Sequence, residues 1–538
     1  GLSVAPADLT TEVLRTYALV GHQATAADRA ALAVQAARVP TSVRSDFAAL
    51  LATVNATYAA QLPIVAAVHA RWEAGFDPHV PLLTQAERDV MTARQAGLMT
   101  AINHFRAIDV PRLTASNATP ANAPVFADPE GLVILGGTAN DTYNKGGLVG
   151  DPVLLVDPAG SDTYNNSAGG ACPFTPSAFG QTWLQCNTLV VSVVADLGDG
   201  TTTASNDTYA YNGLPAAVQG AGGPGGIGLL VDVGGDDTYR ATMTRGNVDA
   251  FQPVVYYFDG GAQGYGYAGN GALVDGVGND LYDFAVKSTS GYSIWALAQG
   301  FGGAGGVGLA LDGGGSDQWL NEGLGLTGRG FQGIYTMGTG FYGGVGIIDD
   351  QGLADDTYKA VDTAQTTDYY AQGFGAFGGL GIQADDGGND SYYAAERASN
   401  PFIDPLLNCD YGTGSYAGVG IMLEGGGNDS YYGETTSSKS ADIDNWGAGH
   451  PGVSYGLFLD AGGVDRYEEK AVSTTGQGTS TAGFGLWQPA LGGDILDAPL
   501  GENTFGTFVD LGGQVDTYIG APTSAIQNNA QWAFGVDR

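Results

Sequence analysis

Short apolar runs separated by glycine turns fill the chain from residue 131 to its C-terminus. Apolar and polar residues alternate for only four to six positions at a time, which is the length of a strand, and Gly-Gly pairs mark the turns. Earlier residues follow another pattern, with Ala-rich segments whose apolar residues recur at helical spacing. This pattern predicts helices at about 8–20, 26–38, 43–74 and 85–107.

Predicted helix caps and helix breaks support a helical region before the repeats. Thr84 with Glu87, and Thr25 with Asp28, have the spacing of capping boxes, while Pro40, residues 75–81 and Pro111 predict helix breaks. Three regions are expected, namely an α-helical bundle at 1–115, a polar linker at 116–130 and a repeat region at 131–538. Four of the five histidines lie in the first region without a metal-binding spacing such as HExxH, so we interpret them as ordinary helix and loop residues.

One motif occurs eleven times in the repeat region: an apolar run, an acid, a glycine turn and Asp-x-aromatic. Clear copies are LLVDVGGDDTYR at 229–240 and IMLEGGGNDSYY at 421–432. The copies are 21 to 51 residues apart, which is typical of arrays whose units bury their apolar faces against their neighbours. The expected fold is mainly β: a parallel β-solenoid of β-helix or β-roll type with about 10–11 coils. A β-propeller is the alternative, although the glycine passages do not supply four amphipathic strands per blade.

Stacking such units would align their acids in two columns. The first column consists of the acids that end the apolar runs: Asp157, Asp196, Asp232, Asp275, Asp312, Asp350, Asp385, Glu424, Asp460 and Asp510. The second column consists of the acids of Asp-x-aromatic: Asp141, Asp162, Asp207, Asp237, Asp280, Asp317, Asp356, Asp390, Asp429, Asp465 and Asp516.

Such columns require an explanation because like charges repel. Unit charges about 4.8 Å apart repel by roughly 0.9 kcal/mol in water and by about 3.5 kcal/mol at an effective dielectric of 20. The columns therefore need bound cations, raised carboxyl pKa values or side chains that point outward. Carboxylates and turn carbonyls are hard oxygen ligands that suit Ca²⁺, so all 21 acids are candidate calcium ligands. The alternative is that they cap turns by accepting backbone N–H bonds.

The turns GGDDTY, GGSDQW, GGNDSY and GGVDRY resemble the repeat-in-toxin nonapeptide GGxGxDxUx, whose turns bind Ca²⁺ between adjacent coils of a parallel β-roll. The resemblance covers about nine residues per unit within 131–538. It implies that the Gly-Gly carbonyls and the second-column acids coordinate calcium, and that the aromatic residue points into the core. Here the motif comes once per unit instead of in tandem.

Two further columns are expected to be structural. The aromatic residues of the motif, from Tyr143 to Tyr518, are expected to form a stacked core ladder. The glutamines Gln219, Gln263, Gln299 and Gln372 keep a fixed spacing to the glycine passage, and we expect their amides to bond one another along the axis.

The charge and the cysteines of the chain limit the partners and the compartment that we expect. Residues 1–130 carry a net charge of −2 and residues 131–538 carry −34, so nucleic acids and anionic membranes are unexpected partners, while salt adaptation remains an alternative source of the acids. Cys172 and Cys186 bracket a loop that a disulfide could close, whereas Cys409 stands alone. The start lacks Met and signal-peptide features, so we expect a processed chain, and no uninterrupted apolar stretch of 18 residues predicts a membrane span.

Together these features predict a secreted or cell-surface structural or adhesive protein that calcium stabilises. Other copies of itself or a cell-surface component are the expected partners, and the helical region is expected to cap one end of the stack or attach it. A polysaccharide-active β-helix hydrolase or lyase is the alternative, but no catalytic constellation stands out, so the chain is not expected to be an enzyme.

Overall fold

The fold is taken from a computed structural model. The structure describes residues 8–75, 81–115, 122–144, 151–165, 168–172, 175–176, 182–183, 186, 189–198, 205–213, 216–245, 258–288, 294–324, 332–362, 368–393, 411–415, 417–432, 454–468, 505–510, 517–519 and 532–537.

Four helices form the first region, as the apolar spacing predicted. They are α1 (Leu9–Leu19), α2 (Ala26–Arg38), α3 (Thr41–Glu73) and α4 (Gln85–Ala115). Both predicted capping boxes are present, at the start of α2 and before α4. The break predicted at Pro111 is wrong, because α4 continues to Ala115. Val110 and Leu113 are buried there, and their packing compensates for the backbone bond that proline cannot donate.

The remaining described chain is mainly parallel β-sheet. We name the largest sheet sheet I; it has 13 strands, and its order follows the chain. Its strands are Phe126–Ala127, Val133–Leu135, Leu154–Asp157, Val191–Asp196, Ile227–Val231, Asn270–Val274, Val307–Asp312, Val345–Asp350, Leu380–Asp385, Val419–Glu424, Tyr455–Asp460, Phe505–Asp510 and Trp532–Asp537.

Sheet II has 11 strands, also in chain order. Its strands are Thr142–Tyr143, Thr163–Asn165, Thr208–Gly213, Thr238–Arg245, Leu281–Ser288, Gln318–Leu324, Thr357–Asp362, Ser391–Tyr393, Ser430–Tyr432, Arg466–Glu468 and Thr517–Ile519.

Two smaller parallel sheets accompany them, sheet III with five strands and sheet IV with four. Sheet III contains Gly266–Tyr267, Gly302–Gly303, Gly340–Phe341, Gly375–Ala376 and Gly414–Ser415. Sheet IV contains Phe258–Gly261, Ile294–Leu297, Gln332–Tyr335 and Asp368–Tyr370. A short antiparallel pair, Thr175–Pro176 with Thr182–Trp183, lies outside these sheets.

Consecutive repeats enter the sheets in a fixed order. In the best-described repeats the chain passes through sheets IV, III, I and II, and each strand then pairs in parallel with its counterpart in the next repeat. Equivalent motif residues align in this register; Asp312 pairs with Asp350, and Asp350 with Asp385. Antiparallel four-stranded blades, which a β-propeller would need, do not occur in the described part of the chain.

The helical region lies along the side of the sheets as well as at their beginning. Its apolar residues share one core with the outer face of the early strands of sheet I. Those strands, Val191–Asp196 and Ile227–Val231, are buried on both faces, whereas Val307–Asp312 alternates between half-buried and buried residues. The helices therefore flank several repeats, in addition to the beginning of the sheets where a cap was one of the two expected roles.

Three other features concern the predicted linker, the cysteines and a possible membrane span. Phe126–Ala127, inside the segment predicted as a linker, is a strand that pairs antiparallel with Val133–Leu135. Cys172 and Cys186 form a disulfide, while Cys409 lies outside the described residues. Thr41–Glu73 is long and apolar enough to cross a membrane by composition, with 44% of its most apolar window buried in the fold.

Candidate metal centre

The two acid columns lie between sheets I and II. First-column acids end strands of sheet I or, at Asp232 and Asp275, follow them directly, and second-column acids come immediately before strands of sheet II. Where the structure describes the connection, a glycine-containing turn joins the two acids of a repeat, as in Asp312 and Asp317. In every described repeat from Asp141 to Asp465 these acids are buried, each at most 3% exposed. The carboxyls therefore do not point outward, and their charge must be compensated inside the protein.

Second-column acids bond the neighbouring repeat. Oδ1 of Asp317 accepts a hydrogen bond from the backbone N–H of Asp280 at 2.6 Å, and Oδ1 of Asp356 accepts one from Asp317 at 2.6 Å. The same contact joins every consecutive pair of second-column acids from Asp141 to Asp465. This use of Oδ1 differs from a local turn cap because the donor belongs to the preceding repeat.

The second carboxyl oxygen of the second-column acids, Oδ2, differs from Oδ1 in its hydrogen bonding. In six second-column acids, Oδ2 is buried and has no hydrogen-bond partner among the described residues: Asp237, Asp280, Asp317, Asp356, Asp390 and Asp429. A buried charged oxygen without a partner is costly unless a proton or a cation compensates it.

First-column acids accept hydrogen bonds from the aromatic residues of the motif. Oδ2 of Asp275 accepts a hydrogen bond from the Tyr239 hydroxyl at 2.6 Å, and Oδ2 of Asp232 accepts one from Tyr209 at 2.7 Å. Oδ1 caps the acid's own turn, as in Asp232, which accepts the Gly234 N–H at 3.1 Å. In these acids Oδ1 forms the turn cap that the alternative described.

The predicted aromatic ladder is confirmed for the described residues. Neighbouring rings are nearly parallel, and the Tyr209 and Tyr239 centroids are 4.7 Å apart. The stacked series consists of Tyr143, Tyr164, Tyr209, Tyr239, Tyr282, Trp319, Tyr358, Tyr392 and Tyr431. The ladder forms one wall of the acidic interior and donates its polar groups to that interior.

The two columns meet in groups of three carboxyls. Each group contains one first-column acid and two second-column acids from consecutive repeats, and one oxygen from each lies within 4.8 Å of the other two. Four such groups are Asp141/Asp157/Asp162, Asp162/Asp196/Asp207, Asp207/Asp232/Asp237 and Asp237/Asp275/Asp280. Three converging carboxylates are suitable ligands for a hard cation.

Burial changes the acid–base properties of these groups. Loss of hydration, the largest cause, raises the pKa of Asp162 to about 7, of Asp207 to about 8 and of Asp280 to about 9. Neighbouring carboxylates raise it further; at Asp237 burial together with Asp232 raises the pKa to about 11. In the first column, burial holds the pKa values of Asp196 and Asp275 well above their usual range. Without cations, much of the interior would therefore hold protons at neutral pH.

The described part of the chain places no Lys or Arg side chain in this interior. No Lys or Arg is among the buried residues that the structure describes. The described ion pair between Arg240 and Asp283 lies on the outside, where the Arg240 side chain is 54% exposed. Charge compensation must therefore come from protons or from added cations.

The glutamine prediction is wrong. The amides do not bond one another; Nε2 of Gln263 donates to the backbone carbonyl of Tyr239 at 2.9 Å, and Nε2 of Gln219 donates to that of Tyr209 at 3.0 Å. These glutamines have left-handed backbones, with φ of 53° and 55° respectively, which turns their side chains toward sheet II.

Sequence reasoning also missed some polar residues. Asp537 continues the first column, because it pairs in register with Asp510. An exposed ladder precedes the second column, in which Oδ1 of Asn389 accepts the backbone N–H of Asn428 at 3.0 Å. The motif position before the buried Asp could have indicated this ladder, since it is often Asn or Asp. Asp516 lies outside the described residues, and Asp510 is placed by its strand alone.

Comparisons of the chain with protein-family models, with curated proteins and with solved structures found no match.

Proposed function

We propose that the chain is a secreted or cell-surface structural β-solenoid in which calcium ions lie between consecutive repeats. The observation that carries this proposal is the recurring group of three buried carboxyls, two of which come from adjacent repeats. A cation at such a group links one repeat to the next, so binding would stabilise the stack as a whole.

Charge counting favours a divalent ion. Each repeat adds one first-column and one second-column carboxylate, such as Asp275 and Asp280. A second-column acid such as Asp237 belongs to two consecutive groups of three, so it is counted once for the two groups. One divalent cation per repeat therefore neutralises the two charges that the repeat contributes. A monovalent ion would leave half of that charge buried without compensation, at a high cost.

Ligand chemistry favours calcium within that class. The side-chain ligands of these groups are carboxylate oxygens, and calcium accepts six to eight oxygen ligands in flexible geometry. Magnesium requires near-octahedral geometry and retains several waters, which a site buried among stacked repeats accommodates less easily. The resemblance to repeat-in-toxin turns supports the same ion.

The disulfide supports the proposed location, because such bonds persist in oxidising compartments. The buried acids give little support to polysaccharide chemistry, since a glycan cannot reach carboxyls that are at most 3% exposed. A structural role for the stack, as a spacer or as an adhesive or assembly subunit, makes use of its length and its internal cross-links.

A binding measurement on the full chain tests the proposal. Asp237 belongs to two of the carboxyl groups, so Asp237→Asn should bind about two fewer calcium ions than the wild type in equilibrium dialysis. Calcium should raise the thermal midpoint of the wild type strongly and that of the variant less, because a ligand that binds only the folded state stabilises it.

The matched control is Asp236→Asn, which changes the same charge at an exposed neighbouring residue. It should bind as many calcium ions as the wild type. Equal calcium counts for wild type and Asp237→Asn, or a thermal midpoint that neither calcium nor a chelator moves, would contradict the proposal. Turnover of a neutral glycan would point to the enzymatic alternative.

A further inference from the structure

A second group of potential ligands contains no acid of the two columns and lies where the helical region meets the first strands. His22 follows α1, Asp28 lies in the first turn of α2, and Glu130 follows the strand Phe126–Ala127. One ligand atom of each lies within 4.8 Å of the other two. The three residues come from separate segments, so the fold alone brings them together.

The backbone and the imidazole ring of His22 both contact Tyr17. Its backbone N–H donates to the Tyr17 carbonyl at 2.8 Å, and its ring contacts the Tyr17 ring edge-on, with centroids 4.8 Å apart. Tyr17 is itself fixed, because its hydroxyl donates to Oδ2 of Asp128 at 2.7 Å. Such support for the ring reduces the ordering needed before it binds a ligand.

Nε2 of His22 is oriented toward the carboxylates but is not hydrogen-bonded. The atom is buried and has no hydrogen-bond partner among the described residues, and it lies 3.5 Å from Oε1 of Glu130. Oδ2 of Asp28 accepts the Thr25 N–H at 2.7 Å, as the capping box requires, and the same carboxylate still has a second oxygen. A buried nitrogen beside two carboxylates is an arrangement that a cation would complete.

We propose that His22, Asp28 and Glu130 bind a first-row divalent metal ion of the zinc class. Imidazole nitrogen together with carboxylate oxygen suits zinc, whereas calcium prefers oxygen ligands alone. Zinc ligands at about 2.0–2.1 Å in tetrahedral geometry lie about 3.4 Å apart, close to the 3.5 Å between Nε2 and Oε1. Three protein ligands leave the fourth position to water.

The position of the site indicates its role. The ion would join the α1–α2 loop and the first turn of α2 to the beginning of sheet I, next to the Tyr17–Asp128 contact. Metal binding would therefore link the helical region to the first strands of sheet I. This site does not depend on the calcium sites of the acid columns, because it shares no residue with them.

The experiment uses the full chain, loaded with excess calcium so that the acid columns are occupied. Isothermal titration with ZnCl₂ should detect one tight site in the wild type, and CoCl₂ should produce visible absorption of a four-coordinate ion. His22→Ala removes the one nitrogen ligand and should weaken zinc binding at this site by at least about 100-fold. Glu130→Gln should weaken it as well.

The matched control is His69→Ala. His69 also lies beside a carboxylate, with Nε2 3.3 Å from Oε1 of Glu73 on the same helix. It is not one of the three proposed ligands. This variant should retain the tight site. Zinc titrations that are identical for wild type and His22→Ala, or a tight site that is lost only in His69→Ala, would overturn the proposal. Circular dichroism of each variant checks that a lost site does not reflect a lost fold.

Discussion

Oδ1 of Asp280 accepts a hydrogen bond from the backbone N–H of Asp237, one repeat earlier, at 2.5 Å. The Oδ2 of the same carboxyl is buried and has no hydrogen-bond partner among the residues that the structure describes, and this carboxyl converges with those of Asp237 and Asp275. One side chain thus performs two tasks. It connects consecutive repeats through the backbone, and it contributes to a group of carboxyls that requires a proton or a cation.

The first prediction separates these two tasks at Asp280. Asp280→Ala removes the acceptor of the Asp237 N–H and should lower the free energy of unfolding by about 1–3 kcal/mol relative to Asp280→Asn, which keeps an acceptor oxygen. Urea denaturation in EDTA measures the difference. Because Asn is neutral without taking up the proton that folded Asp280 needs at neutral pH in EDTA, it should match or exceed the wild type there. Equal stabilities for Ala and Asn would contradict the role of Oδ1.

The second prediction concerns pH in the absence of divalent cations. The folded-state pKa values of Asp162, Asp207 and Asp280, at about 7, 8 and 9, lie above the unfolded value of about 3.9. The folded state therefore binds more protons than the unfolded state between about pH 4 and pH 9, so the free energy of unfolding should fall as pH rises through this window.

Thermal midpoints in EDTA between pH 4 and pH 9 test this sign. Saturating calcium should flatten the decline, since a bound cation replaces the protons and remains when the pH rises. A stability that increases steadily with pH in EDTA would show that the carboxyls are ionised in the folded state without cations.

The third prediction concerns the aromatic ladder. Tyr239→Phe keeps the ring between Tyr209 and Tyr282, at 4.7 and 4.9 Å, but removes the hydroxyl that bonds Asp275. Loss of this buried bond should cost about 1–3 kcal/mol in urea denaturation.

A control for Tyr239 is Tyr393→Phe. Tyr393 stacks on Tyr432 at 4.6 Å and is half-buried, outside the column of fully buried rings. Its substitution should change stability by less than about 0.5 kcal/mol. A comparable loss in both variants would mean that the hydroxyl of Tyr239 has no special role.

The fourth prediction concerns the close approach of successive glycine turns. A Cβ on Gly315 would fall on the backbone carbonyl oxygen of Gly278 in the preceding repeat, so Gly315→Ala should destabilise the fold by more than the about 1–3 kcal/mol of ordinary overpacking. Gly378→Ala is the control, because nothing lies within 4 Å of its Cβ position. Its left-handed backbone, with φ of +74°, should limit the cost to about 1–2 kcal/mol. Thermal melts that rank the two variants in the reverse order would contradict the stacking geometry.

Local and repeating signals were sufficient for much of the fold. The capping boxes at Thr25 and Thr84 depend on neighbours three residues away, so spacing alone located the starts of α2 and α4. The parallel register followed from repetition, since identical turns stack most easily in line. The aromatic ladder was predictable for the same reason.

Other features depended on contacts between distant segments. Pro111 should have ended α4, but the burial of Val110 and Leu113 favoured its continuation. Gln263 bonds the Tyr239 carbonyl because the two sheets face each other, which no spacing reveals. His22, Asp28 and Glu130 meet only because the helical region folds back on the first strands.

The amino-acid order by itself determined the helices, because helical periodicity and capping are local, and it determined the repeats and the two aligned columns of acids, because every unit shares one spacing. Only the tertiary structure decided that the acids point inward, that Asp280 bonds Asp237, and that the helices lie along the outer face of sheet I. The physical reason is that burial, and with it the raised pKa values of the carboxyls, depends on which distant surfaces exclude water from them.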